Sequence, residues 1–354
     1  MPPPRLRPLG LLYGPAASAA VAAGTARWLA GGPVAFTQIQ LMPRGEPNVT
    51  MALATLPASF ERHPGWREVA TPVIERLSAP RQSWAGLSLD RTRIMGVLNV
   101  TPDSFSDGGT FLDPARAIAH GRALLEAGAD IVDIGGESTR PEAEPVTPEE
   151  ELRRVLPAVR ALADAGALVS IDTRHAAVMG AALAAGARIV NDVTALAGDP
   201  QSLEAVRRSG AGVVLMHMGG DPRTMQRDPR YEDVTLDVLD YLERRIAVCE
   251  AAGIARDRIA VDPGIGFGKT LAHNLALLAR LGAFHGLGAA VLLGASRKSF
   301  IAKASRGEEA KARLAGSLAA ALAAAGQGVQ LLRVHDVAET RQALALKERI
   351  DSAG

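Results

Sequence analysis

Cysteine is almost missing from this chain: Cys249 stands alone. One thiol rules out an intramolecular disulfide and any multi-cysteine metal cluster. Its place in a helical-looking segment, Tyr241 to Ala252, suits a small buried thiol better than a nucleophile. Aromatic residues make up only 4%, and all three Trp (Trp28, Trp66, Trp84) lie before residue 91. Lysine supplies five of the 39 cationic residues, none of them before residue 91. With the abundant alanine, that looks like coding bias rather than function. The net charge of +1 gives no reason to expect nucleic acid or an anionic membrane as a partner. No uninterrupted run of about 18 strongly apolar residues occurs, so no transmembrane helix is expected. Arg5 and Arg7 before LGLLYGPAASAAVAAG imitate a signal peptide, but Pro15 interrupts the run and the rest is mostly Ala. Export is therefore not expected, and a reducing, cytoplasmic setting is.

Two familiar nucleotide signatures are also missing. No glycine-rich dinucleotide fingerprint follows the first barrel-type strand. The segment Gly264 to Thr270 imitates a P-loop, but GxxxxGK[ST] requires Gly at 263, where Pro263 stands. It reads instead as a glycine-rich turn that aims Phe267 into a site.

What is present is a repeat. From about residue 91 a helix ends in a small-Gly-small signal and passes into an apolar strand. The instances are EAGADIVDI (126–134), DAGALVSI (164–171), AAGARIVNDV (184–193) and SGAGVVLMHM (209–218). Weaker ones follow at 251–262, 287–296 and 326–336. Glycine past a helix end takes the left-handed conformation at no steric cost. With Arg93–Asn99 first, this gives eight strands alternating with amphipathic helices such as Asp113–Glu126, Glu149–Asp164 and Asp233–Ala252. The fold class is α/β, a (β/α)8 TIM barrel over 91–354 with a small α/β N-terminal extension over 1–90. In the extension, strands are expected at Leu9–Tyr13 and Ala35–Met42, and helices at Ala16–Leu29 and Pro72–Leu77. No chemical motif stands out there, so a structural or interaction appendage is the expectation.

A barrel places its site at the strand C-termini, and nearly every strand here ends in polar groups. They are Asn99; Asp133 and Glu137 to Arg140; Asp172; Asn191-Asp192; Met216-His217-Met218; Asp262; Ser296 to Ser299; and Arg333 to Asp336. Each has a plainer reading as well. Asp172 equally suits a helix cap, Asn191, Asp192 and Asp262 also suit turns, and His217, between two Met in an apolar strand, suits a hydrogen-bonded core position better. Arg297, Lys298, Arg333 and His335, from the loops after strands seven and eight, suit an anion with several oxygens. Asp172, Asn191 and Asp262, on the opposite sector, suit a flat heterocycle with amidine-like donors.

The segments MGVLNVTPDSFSDGG (95–109), DIGGESTRP (133–141), SIDT (170–173), NDV (191–193), MHMGGDPRTMQ (216–226), DPGIGFGK (262–269), SRKSFI (296–301) and RVHDV (333–337) resemble the successive signatures of the dihydropteroate synthase family. They occur in the family's order. Gly219, where Gln is common in the family, is a small departure, and residues 1–90 exceed the usual bacterial core. The resemblance implies a barrel that joins 6-hydroxymethyl-7,8-dihydropterin diphosphate to p-aminobenzoate. It implies Asp172, Asn191, Asp262 and Lys298 around the pterin, with Met216 also substrate-binding. Arg140, Arg333 and His335 would bind phosphate oxygens, and Asn99 would ligate Mg²⁺ on the diphosphate. Thr139, Pro141, Phe267 and Ser299 would border the aminobenzoate. Asp103 and Asp107 would ride a mobile loop that closes over the site, and with Lys298, Arg333 and Arg140 they make the catalytic set. A homodimer, with these small molecules as partners, is also implied. The rival readings are a methyltetrahydrofolate-binding methyltransferase module, which has no need of an anion site, and a silent scaffold. A scaffold would be expected to lose Asn99, Asp103, Arg140 or Lys298.

Overall fold

The computed structural model describes residues 5–62, 64–81, 83–101, 113–137, 146–220, 225 and 228–353. Eight parallel strands close into a barrel: β5 (Arg93–Asn99), β6 (Ile131–Gly135), β7 (Val169–Asp172), β8 (Ile189–Asp192), β9 (Gly212–Met216), β10 (Ile259–Asp262), β11 (Ala290–Leu293) and β12 (Leu331–Val334), with β12 pairing β5. The helices around it are α4 (Pro114–Glu126), α5 (Pro148–Asp164), α6 (Ala176–Ala184), α7 (Ser202–Ser209), α8 (Val234–Ala251), α9 (Leu271–Ala279), α10 (Ser299–Ala304), α11 (Leu314–Ala325) and α12 (Val337–Ala353). This is the expected (β/α)8 architecture. Asp113 caps α4 as its sequence suggests, its carboxylate accepting from the Ala115 N–H at 2.9 Å. Among the described residues, no helix is long and apolar enough to cross a membrane.

The strands read as continuous apolar runs because they are buried on both faces. Alternate residues then separate cleanly. Ile94, Leu98, Val132, Ile134, Ile171, Val190, Val213, Leu215, Val261, Val291 and Leu332 join the layer packed under the helices. Met95, Ile131, Ile189, Val214, Ala260, Ala290, Leu292 and Leu331 fill the lower interior. Two residues further along the same inward rows, the character changes to Asp133, Asn191, Asp262 and Arg333. The period of two therefore carries each strand from an apolar floor to a polar mouth.

The lower end is plugged from the N-terminal side. Trp84 is 1% exposed and packs with Leu89 on the apolar floor. Its indole N–H donates to the Arg258 carbonyl at 2.9 Å. Trp84→Ala should cost about 3–5 kcal/mol, because the floor cannot collapse into the space left. Equilibrium denaturation would read this as a lower midpoint, and an unchanged midpoint would show that the plug is dispensable.

The extension folds into four antiparallel strands: β1 (Arg5–Leu12), β2 (Arg27–Trp28), β3 (Ala35–Met42) and β4 (Val49–Ala52). β1 lies on one edge of β3, and β2 and β4 share the other. Helices α1 (Gly14–Ala22), α2 (Leu56–Arg62) and α3 (Pro64–Ser78) complete it. β3 matches its expected span. The helix expected over Ala16–Leu29 stops at Ala22, since Gly24 turns left-handed (φ +71°) and residues 27–28 pair with β3 instead. The helix expected to begin at Pro72 begins at Pro64 and carries Pro72 inside it. Arginine forks tie this unit to the barrel. Arg5 bonds Asp240 and Glu243 on α8, each at 2.6 Å, and Arg81 donates to the carbonyls of Ala289 (3.0 Å) and His285 (2.7 Å). A planar guanidinium presents its donors in a fixed fork, so one arginine can bridge several acceptors in a set geometry.

Candidate active site

The barrel register sets one polar level at the mouth. Asn99 pairs with Gly135, Gly135 with Asp172, and Asp172 with Asn191, while Asp262 pairs with Met216. These side chains therefore face inward together, with buried Asp133 one step below. Glycines at 135 and 294 leave open floor between them. A Cβ on Gly294 would sit 3.6 Å from Asp262 Oδ2 and 3.8 Å from the Arg333 Cβ, so glycine there keeps room for a flat ligand.

Arg333 spans this level. Its Nε donates to Asp133 Oδ2 at 2.6 Å and its Nη2 to Asp172 Oδ2 at 2.6 Å. Asn191 Nδ2 donates to the same Asp133 oxygen at 3.1 Å. Burial alone would lower the guanidinium's pKa, but Asp133 and Asp172 outweigh it and hold it above its usual value. Burial pushes the Asp172 carboxyl up; Arg333 pulls it back, and Asp133 adds to the rise. Asp133 Oδ1 is buried with no hydrogen-bond partner among the described residues.

Across the mouth, Asp262 is 5% exposed and its Oδ1 accepts the Gly264 N–H at 2.7 Å. Burial raises its pKa, against the pull of Lys298. Lys298 donates to the Ile265 carbonyl and stands 4.5 Å from the centroid of the Phe267 ring. Burial lowers the ammonium pKa to about 8, with Asp262 opposing and Arg333 assisting. His335 Nδ1 lies 3.1 Å from Ser296 Oγ. Ser299 is exposed at the start of α10, and Met216 is buried at the end of β9.

A model of the pterin binding enzyme family matches residues 95–335. Dihydropteroate synthase of Escherichia coli (strain K12) is 48% identical over 268 residues, covering 75% of this chain and 94% of that one. The chain belongs to the dihydropteroate synthase family. Solved members overlay the barrel closely. The Xanthomonas albilineans enzyme with 4-aminobenzoic acid has a TM-score of 0.72 at 50% identity, covering 76% of this chain and 97% of that one. The same organism's enzyme with 7,8-dihydropteroate has a TM-score of 0.68 at 47% identity, covering 75% of this chain and 96% of that one.

Within this family member the expected residues fall into three groups. Asn99, Asp172, Asn191, Met216, Asp262, Phe267, Lys298, Arg333 and His335 stand at the barrel's C-terminal mouth. Asp103, Asp107, Thr139, Arg140 and Pro141 lie outside the described residues. Of the cationic cluster expected from Arg297, Lys298, Arg333 and His335, Lys298 and Arg333 stay within electrostatic reach of each other, and Arg297 turns away. Arg297 adopts a left-handed backbone (φ +59°) and pairs with Asp336, while Arg333 pairs with Asp133 and Asp172. The two sectors thus share one ion network. Asp192 has the plainer role, its carboxylate accepting from the N–H groups of Thr194 (2.7 Å) and Leu196 (2.9 Å). His217 is a buried, hydrogen-bonded histidine, as one reading had it.

Lys269, 3% exposed beneath the mouth, and the pairing of Asp133 with Arg333 and Asn191 lie outside the expected set. The inward parity of Asp133, two residues before Gly135, was the available signal.

Proposed function

We propose that this chain condenses 6-hydroxymethyl-7,8-dihydropterin diphosphate with p-aminobenzoate, giving 7,8-dihydropteroate and diphosphate. The observation that carries the reading is the inward polar level: Asp172, Asn191 and Asp262 in one ring with Arg333 and Lys298 beside it. Carboxylates and an amide facing a flat opening suit the N–H donors and carbonyl of a pterin. The aminobenzoate and dihydropteroate bound in the Xanthomonas albilineans relatives support the same pair of substrates.

The chemistry follows from these groups. The C–O bond to the diphosphate breaks and its electron pair leaves with the diphosphate. The electron-rich dihydropterin ring stabilises the remaining methylene cation, and Asp172 and Asp262 supply negative charge beside it. The aniline nitrogen then forms the C–N bond and loses its proton. His335 would face the departing phosphate oxygens, Lys298 beside Asp262 would hold the pterin, and Arg333 holds Asp172 in place. Phe267 and Ser299 would border the arylamine, as would Thr139 and Pro141. No protein nucleophile is needed. Cys249 cannot serve as one, since burial pushes its thiol up to about 11 on the outer layer.

Among the described residues, no cluster of three or more His, Cys, Asp or Glu could hold a metal. Asn99 offers one hard oxygen at the rigid end of β5. That suits Mg²⁺, which keeps most of its shell as waters and substrate phosphates. Bound there, the ion would neutralise charge on the leaving diphosphate. The barrel over 91–354 is the catalytic part in this reading, and 1–90 braces it. A cytoplasmic homodimer is part of the same reading.

The test is a coupled assay for diphosphate. Equal amounts of diphosphate and 7,8-dihydropteroate are expected, with production stopping on chelation by EDTA and returning with Mg²⁺. Diphosphate release without dihydropteroate, or methyl transfer from methyltetrahydrofolate, would replace this reading.

A further inference from the structure

The turn after β10 carries three left-handed glycines within five residues: Gly264 (φ +70°), Gly266 (+84°) and Gly268 (+63°). Such a segment is soft by composition. A different group pins each of its peptides. Asp262 takes the Gly264 N–H at 2.7 Å, and Asn274 Oδ1 takes the Gly266 N–H at 2.7 Å. The Gly264 carbonyl takes the Phe267 N–H at 3.1 Å, and the Tyr231 hydroxyl donates to the Gly268 carbonyl at 2.8 Å. The Phe267 carbonyl is left to Lys269, whose Nζ donates to it at 3.0 Å.

Lys269 is anchored from the far side. Its Nζ also bonds His217 Nδ1 at 2.9 Å and the His217 carbonyl at 3.3 Å, at the end of β9. All three donors therefore go to uncharged acceptors in a buried place, where an unpaired ammonium is costly. Burial, reinforced by the neighbouring ammonium, lowers the His217 pKa to about 3, so the ring stays a neutral acceptor. Tyr241 packs edge-on to that ring at 4.9 Å and fixes its plane. From the open side, Lys298 holds the Ile265 carbonyl and faces the Phe267 ring. The turn is thus held between two lysines, one beneath it and one in the mouth.

We propose that Lys269 is a positioning residue that, through the Phe267 carbonyl, sets the aromatic wall receiving the arylamine, and so governs affinity for p-aminobenzoate rather than the rate of diphosphate departure. This rests on the reading given under the proposed function, in which Phe267 borders the aminobenzoate.

Steady-state kinetics with both substrates varied tests it. In K269M, KM for p-aminobenzoate should rise about tenfold, while kcat and KM for the pterin diphosphate stay within about twofold. F267A should raise the same KM, and K269M/F267A should be no worse than F267A, because the lysine acts through that residue. An unchanged aminobenzoate KM in K269M, or effects that multiply in the double variant, overturns the proposal. If K269M does not fold, H217L removes one of the three acceptors and leaves the lysine. Its aminobenzoate KM should then rise about threefold, and an unchanged value overturns the proposal equally. A wild-type protein that forms no dihydropteroate would overturn the function itself; an active wild type with unaffected variants overturns only the role of Lys269.

Discussion

Replacing Arg333 with Ala is expected to cut turnover about a thousandfold and to destabilise the protein increasingly as pH rises. The ion network makes lost stability part of the expectation alongside lost activity. Arg333 is the cation between Asp133, which is fully buried, and Asp172. Removing one partner of a buried ion pair leaves uncompensated charge and typically costs about 3–5 kcal/mol. The sign with pH follows from Asp172. Its pKa is already raised by burial against the pull of Arg333, and loss of the guanidinium raises it further. A carboxyl whose folded pKa lies above its unfolded value of about 3.9 favours the fold below that pH and loses the contribution as pH climbs through the folded pKa. Thermal melts of R333A should approach wild type near pH 4 and fall furthest behind near pH 8. A gap that does not change with pH would mean that Asp172 is not held by this pair.

The barrel was legible because its physics is local and repeated. Each strand is buried on both faces and so reads as an apolar run up to its polar end, and from β6 onward a glycine closes the helical segment before it. The extension offered less. β2 and β4 are two and four residues long, and both exist only by pairing with β3, a contact no local pattern encodes. The alanine-rich run at 16–23 gives a helical impression that carries on past Gly24, where the helix has already ended. Pro72 looked like a first-turn residue, although α3 carries it inside the helix.

The site was legible in type and position but not in pairing. The period of two fixes which of Asn99, Asp172, Asn191, Asp262 and Arg333 face inward. It cannot say which acid an arginine chooses. Arg297 and Lys298 are neighbours in sequence, yet the left-handed backbone at Arg297 sends one toward Asp336 and leaves the other beside Asp262. Lys269 was hidden differently. The segment around it imitates a nucleotide loop without being one, and only the bonds to His217 and Phe267 give its lysine a purpose.

Lys298→Met should lose about a hundred- to a thousandfold in kcat and should also destabilise the fold near pH 7, because buried Asp262 loses its cation. Lys298 is held half-buried beside Asp262, Arg333 and the Phe267 ring, and burial lowers its pKa to about 8. A lysine whose folded pKa is depressed below its unfolded value of about 10.4 contributes most above that value, and the contribution is lost as pH falls through about 8. At pH 7 the ammonium stays charged against its burial and is balanced by Asp262, so methionine leaves that buried carboxylate uncompensated. Activity falls with it, because in the proposed reading the ammonium holds the pterin. Wild-type kcat should decline as pH rises through about 8, and that limb should be missing from the residual activity of K298M. Lys269, lowered to about 7 by burial, serves as the control: K269M should keep the limb that K298M loses. If the decline persists unshifted in K298M, another group carries the proton and Lys298 holds its place for packing alone.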